Sequence, residues 1–277
     1  GAGAGVETER RQHANSRTSS TTLAHLSDST FDSLALHPLL QRAIKEVFRF
    51  ERMTLVQQLA IPICLDSADK DVVAKARTGT GKTLGFLLPA LQRVLKMPPS
   101  PGARCPILVL SPTRELATQT AEEAKDLLTF VSPSKVMTVL GGTSMATDEA
   151  AFRQGPPVVL VATPGRLDDH LNNTAGVREM LSALRVLVMD EADQLLDRGF
   201  RPSIVKILAL LPPPETRQTL LFSATFPAAL QELTKSALRA SSELVDCVGP
   251  APQSHEQVEQ QVTVCPMDDL HAIAAAV

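Results

Sequence analysis

Residues 76–83 read Ala-Arg-Thr-Gly-Thr-Gly-Lys-Thr, between a short apolar run at 71–74 and a long amphipathic stretch at 82–95. Small residues closing on Lys-Thr suit a loop whose successive backbone N–H groups wrap a triphosphate. Only the first glycine of that pattern is replaced, by Ala76. Such a loop has to join a strand to the start of a helix, and this constrains the chain to a β-α order. The order recurs. Runs rich in Val, Ile and Leu fall at 107–111, 135–140, 158–162, 185–189 and 218–222, with helical patterns at 39–48, 114–130, 145–153, 166–172 and 202–210. Continuously apolar strands alternating with helices predict an α/β fold, a doubly wound and mainly parallel sheet flanked by helices. Right-handed crossovers then bring the loops that follow the strands to one edge, where ligands bind.

Composition narrows the classes that remain. With 44% hydrophobic and 21% charged residues among 277, the chain has the means to bury a core. No apolar run approaches the roughly 20 residues that span a bilayer. The four cysteines, Cys64, Cys105, Cys247 and Cys265, show no C-x-x-C spacing, which fits neither a zinc site nor a disulfide-stapled domain and makes a reducing compartment the default. A net charge of −3 excludes a globally basic protein, though not a local basic groove. Without Trp or Tyr, base stacking on aromatic platforms is disfavoured.

The run at 185–189 ends in Asp190-Glu191-Ala192-Asp193. Carboxylates at the tip of a buried strand are the second half of a nucleotide-hydrolysing site. Asp190 is expected to hold Mg²⁺ together with the Thr83 hydroxyl, and Glu191 to orient or deprotonate the attacking water. Lys82 is expected to meet the β- and γ-phosphates, so that its loss removes ligand binding and not core packing.

These two signatures resemble the DEAD-box RNA helicases. Further stretches match that family in order: Pro112-Thr113-Arg114-Glu115-Leu116-Ala117, Gly141-Gly142, Thr163-Pro164-Gly165-Arg166 and Ser223-Ala224-Thr225. Upstream, residues 50–57 resemble its adenine-recognition motif, with an isolated Phe31 before it. The resemblance covers residues 31–225. It implies a RecA-like P-loop NTPase fold, with ATP and Mg²⁺ as ligands, and RNA-dependent ATP hydrolysis with local duplex unwinding. Nucleotide contacts are then expected from Phe50, Gln57, Ala76, Arg77, Thr78, Gly79, Thr80, Gly81, Lys82 and Thr83, with catalysis from Lys82, Asp190, Glu191, Ser223 and Thr225. The sugar–phosphate backbone of RNA is expected on Pro112, Thr113, Arg114, Gly141, Gly142, Thr163, Gly165 and Arg166, with Arg114 and Arg166 pairing phosphates. Ser223 and Thr225 are expected to hydrogen-bond Asp193. His170 and the other histidines read as surface or packing residues.

The chain departs from the family's adenine motif at Arg49, Met53 and Leu55, where glycine and prolines are usual, while Phe50, Thr54 and Gln57 remain. Residues 1–27 read as a disordered tail, whose Arg10, Arg11 and Arg17 resemble an organelle-targeting segment although Glu7 and Glu9 do not. Wording at 55–58 resembles a subgroup associated with mitochondria or chloroplasts, so the compartment stays open. Residues 28–249 form the expected RecA-like domain. Residues 250–277 read as a linker and the start of a second one, whose arginines complete hydrolysis in the family. A monomer that binds RNA, without a membrane, is the expected state. The alternative function is a non-hydrolysing ATP- and RNA-binding clamp or partner-binding module.

Overall fold

The computed structural model describes residues 26–66, 70–97, 104–132 and 135–248. The expectations for residues 1–25 and for 250–277 lie outside the described residues. Strand β1 (Leu26–Thr30) pairs antiparallel with β2 (Arg52–Thr54), apart from the main sheet. Leu26 and Ser27, expected to belong to the tail, stand in this strand. Leu26 lies opposite Thr54, and the Ser27 hydroxyl donates to the Met53 carbonyl at 2.9 Å. Between the two strands, α1 (Pro38–Ala43) widens into a π turn (Ile44–Phe48) and stops at Arg49, which is left-handed at φ 57°.

The β-α order then runs α2 (Leu55–Asp66), β3 (Asp71–Lys75), α3 (Lys82–Lys96), β4 (Ile107–Leu110), α4 (Arg114–Leu127), β5 (Val136–Val139), α5 (Met145–Arg153), β6 (Val159–Ala162) and α6 (Pro164–Asn173). It continues with α7 (Val177–Leu181), β7 (Val186–Met189), α8 (Ala192–Asp197), α9 (Arg201–Leu210), β8 (Gln218–Ser223), α10 (Ala228–Ala237) and β9 (Ser242–Asp246). Seven strands form one parallel sheet in the order β5-β6-β4-β7-β8-β3-β9. No described helix is long and apolar enough to cross a membrane.

The period-2 geometry of strands divides the apolar runs between two cores. Ile107, Val109, Val186, Val188, Leu220 and Phe222 pack with α2, α3 and α4 on one face. Leu108, Leu110, Leu187, Met189 and Leu221 pack with α6, α7, α9 and α10 on the other. Every residue of β4, β6, β7 and β8 is buried, as a sheet covered on both faces requires. At the end of the sheet where β3 and β8 begin, the Asp71 carboxylate accepts from the Thr219 and Arg239 amides, both at 2.7 Å. The opposite edge, where the strands finish, carries the residues singled out above.

Candidate functional site

The phosphate loop follows β3, next to the edge strand β9 in the sheet. β3 lies beside β8, and the Ala76 amide donates to the Ser223 carbonyl at 2.9 Å. The Thr80 hydroxyl then folds back to the Arg77 carbonyl at 2.7 Å. Gly81 is left-handed at φ 86°, and a Cβ there would sit 2.6 Å from the Gln57 amide nitrogen. Both facts demand glycine. Helix α3 starts at Lys82 without a side-chain cap or an acidic residue in its first turn. Its free N–H groups favour an anion there. Thr83 lies half-buried in the same turn.

Lys82 points across to β7. Its Nζ donates to Glu191 Oε1 at 2.7 Å and to the Ala76 carbonyl at 3.2 Å, with the two side chains 5% and 4% exposed. Beyond its expected part in ligand binding, Lys82 thus also makes a structural contact: its ammonium neutralises a buried carboxylate. Glu191 itself is left-handed at φ 46°, an uncommon conformation for a side-chain-bearing residue. It leaves Oε2 buried with no hydrogen-bond partner. Next to it, burial first and the Glu191 charge second push the Asp190 carboxyl up to about 7, against the pull of Lys82. Two crowded carboxylates, one with an orphaned oxygen, fit a divalent cation. Among the described residues no cluster of three or more His, Cys, Asp or Glu side chains is gathered for a metal. That suits Mg²⁺, which takes one or two carboxylates together with substrate phosphates and water.

The third member of the acidic tip is clamped. Asp193 Oδ2 accepts from the Thr225 amide at 2.9 Å and from its hydroxyl at 2.7 Å, while the Asp193 amide donates to Ser223 Oγ at 3.1 Å. Burial opposes ionisation of Asp193, but these bonds outweigh it and hold the carboxyl below its usual range. The turns after β7 and β8 are thereby tied together.

Gln57, 3% exposed, is already engaged at both ends. Its Oε1 accepts from the Thr54 amide and its Nε2 donates to the Gly81 carbonyl, each at 2.9 Å. One amide hydrogen and one lone pair remain for a base. Phe50 is 40% exposed and lines a cavity of about 470 Å³ with Phe31, Lys45 and Arg49. Gln57 is not among the residues that line that cavity.

Three further turns adjoin on the same edge. Thr113 follows the buried Pro112 and caps α4, accepting from the Leu116 amide at 3.1 Å. The exposed Arg114 reaches the turn after β5, where a Cβ on Gly142 would sit 2.8 Å from its Nη1. The Gly141 amide donates to Thr163 Oγ1 at 3.0 Å, tying in the turn after β6. Gly165 faces the Phe200 ring.

Arg166 departs from expectation. It is 8% exposed, donates from Nη2 to the Thr143 carbonyl and lies 3.8 Å from Asp148 through Nη1. Its charge is turned inward, toward a buried carboxylate on α5. The same oxygen, Asp148 Oδ2, bonds His170 Nε2 at 3.1 Å, and His170 Nδ1 bonds Thr174 Oγ1 at 2.9 Å. His170 is fully buried, a packing residue with polar partners and not a surface one. Asp148 escaped the sequence reading. The available signal was the i, i+4 spacing of Arg166, His170 and Thr174 on one helix face.

The sequence model of the DEAD/DEAH box helicases matches residues 54–233. The chain belongs to that family. It is 46% identical over 255 residues to DEAD-box ATP-dependent RNA helicase 31 of Oryza sativa subsp. japonica, an alignment covering 90% of this chain and 46% of that protein. It is 44% identical over 268 residues to DEAD-box ATP-dependent RNA helicase 26 of Arabidopsis thaliana, covering 95% of this chain and 31% of the relative. The chain thus spans less than half the length of these curated relatives. In DEAD/DEAH box terms, the matched region contains the phosphate loop, the acidic tip and the Ser223–Thr225 clamp.

Proposed function

We propose that this domain binds Mg²⁺–ATP at the Lys82–Asp190–Glu191 cluster and hydrolyses it in response to RNA, as the ATP-binding half of an RNA helicase. The buried Glu191 Oε2 without a partner, beside a phosphate loop, carries the reading. Adenine selection falls to Gln57, with Phe50 contributing once the base side of the site closes. Residues 76–83 wrap the phosphates through backbone N–H groups. As phosphate arrives, Lys82 exchanges Glu191 for the β- and γ-oxygens, and Glu191 is released to orient the water that attacks the γ-phosphorus. The new O–P bond forms as the β–γ bridging bond breaks, leaving ADP and inorganic phosphate. Thr83 and Asp190 would hold Mg²⁺, which supplies charge neutralisation on the phosphates. The Asp193 clamp, spanning the turns after β7 and β8, couples this chemistry to the rest of the edge.

RNA lies along Pro112, Thr113, Arg114, Gly141, Gly142, Thr163 and Gly165. Exposed Arg114 provides charge there, and the glycines allow close backbone approach. A second RecA-like domain is the proposed partner, because phosphoryl transfer gains roughly 10³–10⁵ in rate from an arginine finger. The test is ATP turnover by residues 1–277 with and without single-stranded RNA, repeated with a second RecA-like domain supplied. Slow turnover that rises with both additions supports the helicase reading. Tight ATP and RNA binding that never yields phosphate favours the clamp. Equal stimulation by single-stranded DNA overturns RNA specificity.

A further inference from the structure

We propose that Asp148 is a positioning residue for the RNA-facing edge, and that Arg166 is its internal brace and not a phosphate ligand. The proposal rests on the RNA-binding reading above. The turn after β5 carries Gly142 at φ 82° and ends in Thr143. The Thr143 hydroxyl donates to the Leu140 carbonyl at 2.7 Å, with Asp148 Oδ2 at 3.4 Å. Arg166 grips the other side of the same residue through the Thr143 carbonyl. Asp148 therefore stands where α5, α6 and the turn meet, with one oxygen facing Thr143, Arg166 and His170.

His170 orients that carboxylate, and is itself fixed by Thr174 and by the Phe152 ring packed edge-on at 5.2 Å. The charges of Asp148 and Arg166 balance one another. Swinging Arg166 out to a phosphate breaks its bond to Thr143 and leaves Asp148 buried without a cation. Breaking such a pair is strongly unfavourable. Arg114, exposed on the neighbouring turn, has no such restraint. What RNA meets at the β5 turn is thus a backbone surface whose shape Asp148 sets from behind.

The test uses residues 1–277 and a fluorescently labelled single-stranded RNA, with affinity measured across a range of salt. Each phosphate contact contributes about 0.7 to the slope of log affinity against log salt for single strands. Arg114→Gln is expected to lower the slope by about that amount. Asp148→Asn and Arg166→Gln are expected to weaken RNA roughly 10-fold with the slope unchanged, as loss of a charge-assisted bond implies. ATP affinity, read on the same samples, stays at the wild-type value, which separates a local effect from general unfolding. Thr143→Val removes the hydroxyl that faces Asp148 and gives a second arm, with RNA weakened several-fold. A slope that drops for Arg166→Gln as it does for Arg114→Gln overturns the proposal. So does wild-type RNA affinity in both Asp148→Asn and Thr143→Val. If the unaltered chain binds no RNA at low salt, the RNA-binding reading itself fails, and the proposal with it.

Discussion

Lys82 and Glu191 lie 2.7 Å apart, ammonium to carboxylate, almost wholly out of solvent. The residue proposed to meet the phosphates and the residue proposed to orient water thus hold one another in this structure. Lys82→Ala is expected to abolish nucleotide binding and also to destabilise the ligand-free domain by roughly 3–5 kcal/mol, because a buried charge loses its partner. The double variant Lys82→Ala, Glu191→Gln should recover most of that loss without recovering nucleotide. Denaturant titration of the four proteins measures the coupling; additive effects would show that the pair contributes nothing.

Asp190 gives the site an unusual pH dependence. Its folded pKa, raised to about 7, lies above that of an unfolded aspartate, so the native state binds the proton more tightly. Stability from this group is therefore full at acid pH and lost as pH rises through about 7. Asp190→Asn should raise the melting temperature of the ligand-free domain at pH 8, with a much smaller gain at pH 5. A gain that is equal at both values refutes the assignment.

Gln57, proposed to select the base, also donates to the Gly81 carbonyl. Gln57→Ala should weaken ATP more than GTP, yet weaken both, since the phosphate loop loses its tie. Gln57→Glu keeps an oxygen for the Thr54 amide but has no donor for Gly81. Nucleotide titrations should place it close to the alanine variant for GTP. Unaltered GTP binding by both variants would leave Gln57 with base selection alone.

Thr225→Val deletes a hydroxyl that donates to Asp193 at 2.7 Å. A bond to an ionised group is worth roughly 1.5–3 kcal/mol, which sets the expected loss near pH 7. Asp193 is held below its usual range, so its contribution is present above the unfolded aspartate value and lost as pH falls through the folded one. The gap between wild type and Thr225→Val should therefore close in acid. Thermal melts at pH 7 and pH 3 check it.

Strands such as β4 and β7 were legible because burial on both faces forces unbroken apolar runs, Ile-Leu-Val-Leu and Val-Leu-Val-Met. The phosphate loop and acidic tip were legible because their chemistry restricts residue type at adjacent positions. β1 was not, since Leu-Ser-Asp-Ser-Thr has no apolar face and gains order only opposite β2. Helix α2 carries Pro62 inside it, and the π turn at Ile44–Phe48 has no local signature. Helix α10 had no part in the motif order and went unread. The inward turn of Arg166 and the tie from Gln57 to Gly81 depend on partners remote in the chain, which no local pattern reports.

The sheet order has a consequence for how the molecule comes into being. β3 stands between β8 and β9, and bonds such as Thr219 to Asp71 close chain separations of 148 residues. Pairings of that span are slow to form, and synthesis delivers them last. A ribosome that has released the phosphate loop and all three acidic residues of the tip has not yet released the proposed binding site. The amide of Ala76 must still wait for the carbonyl of Ser223. Nucleotide capture thus reports completion of the fold, and a nascent chain halted before β8 should emerge blind to ATP.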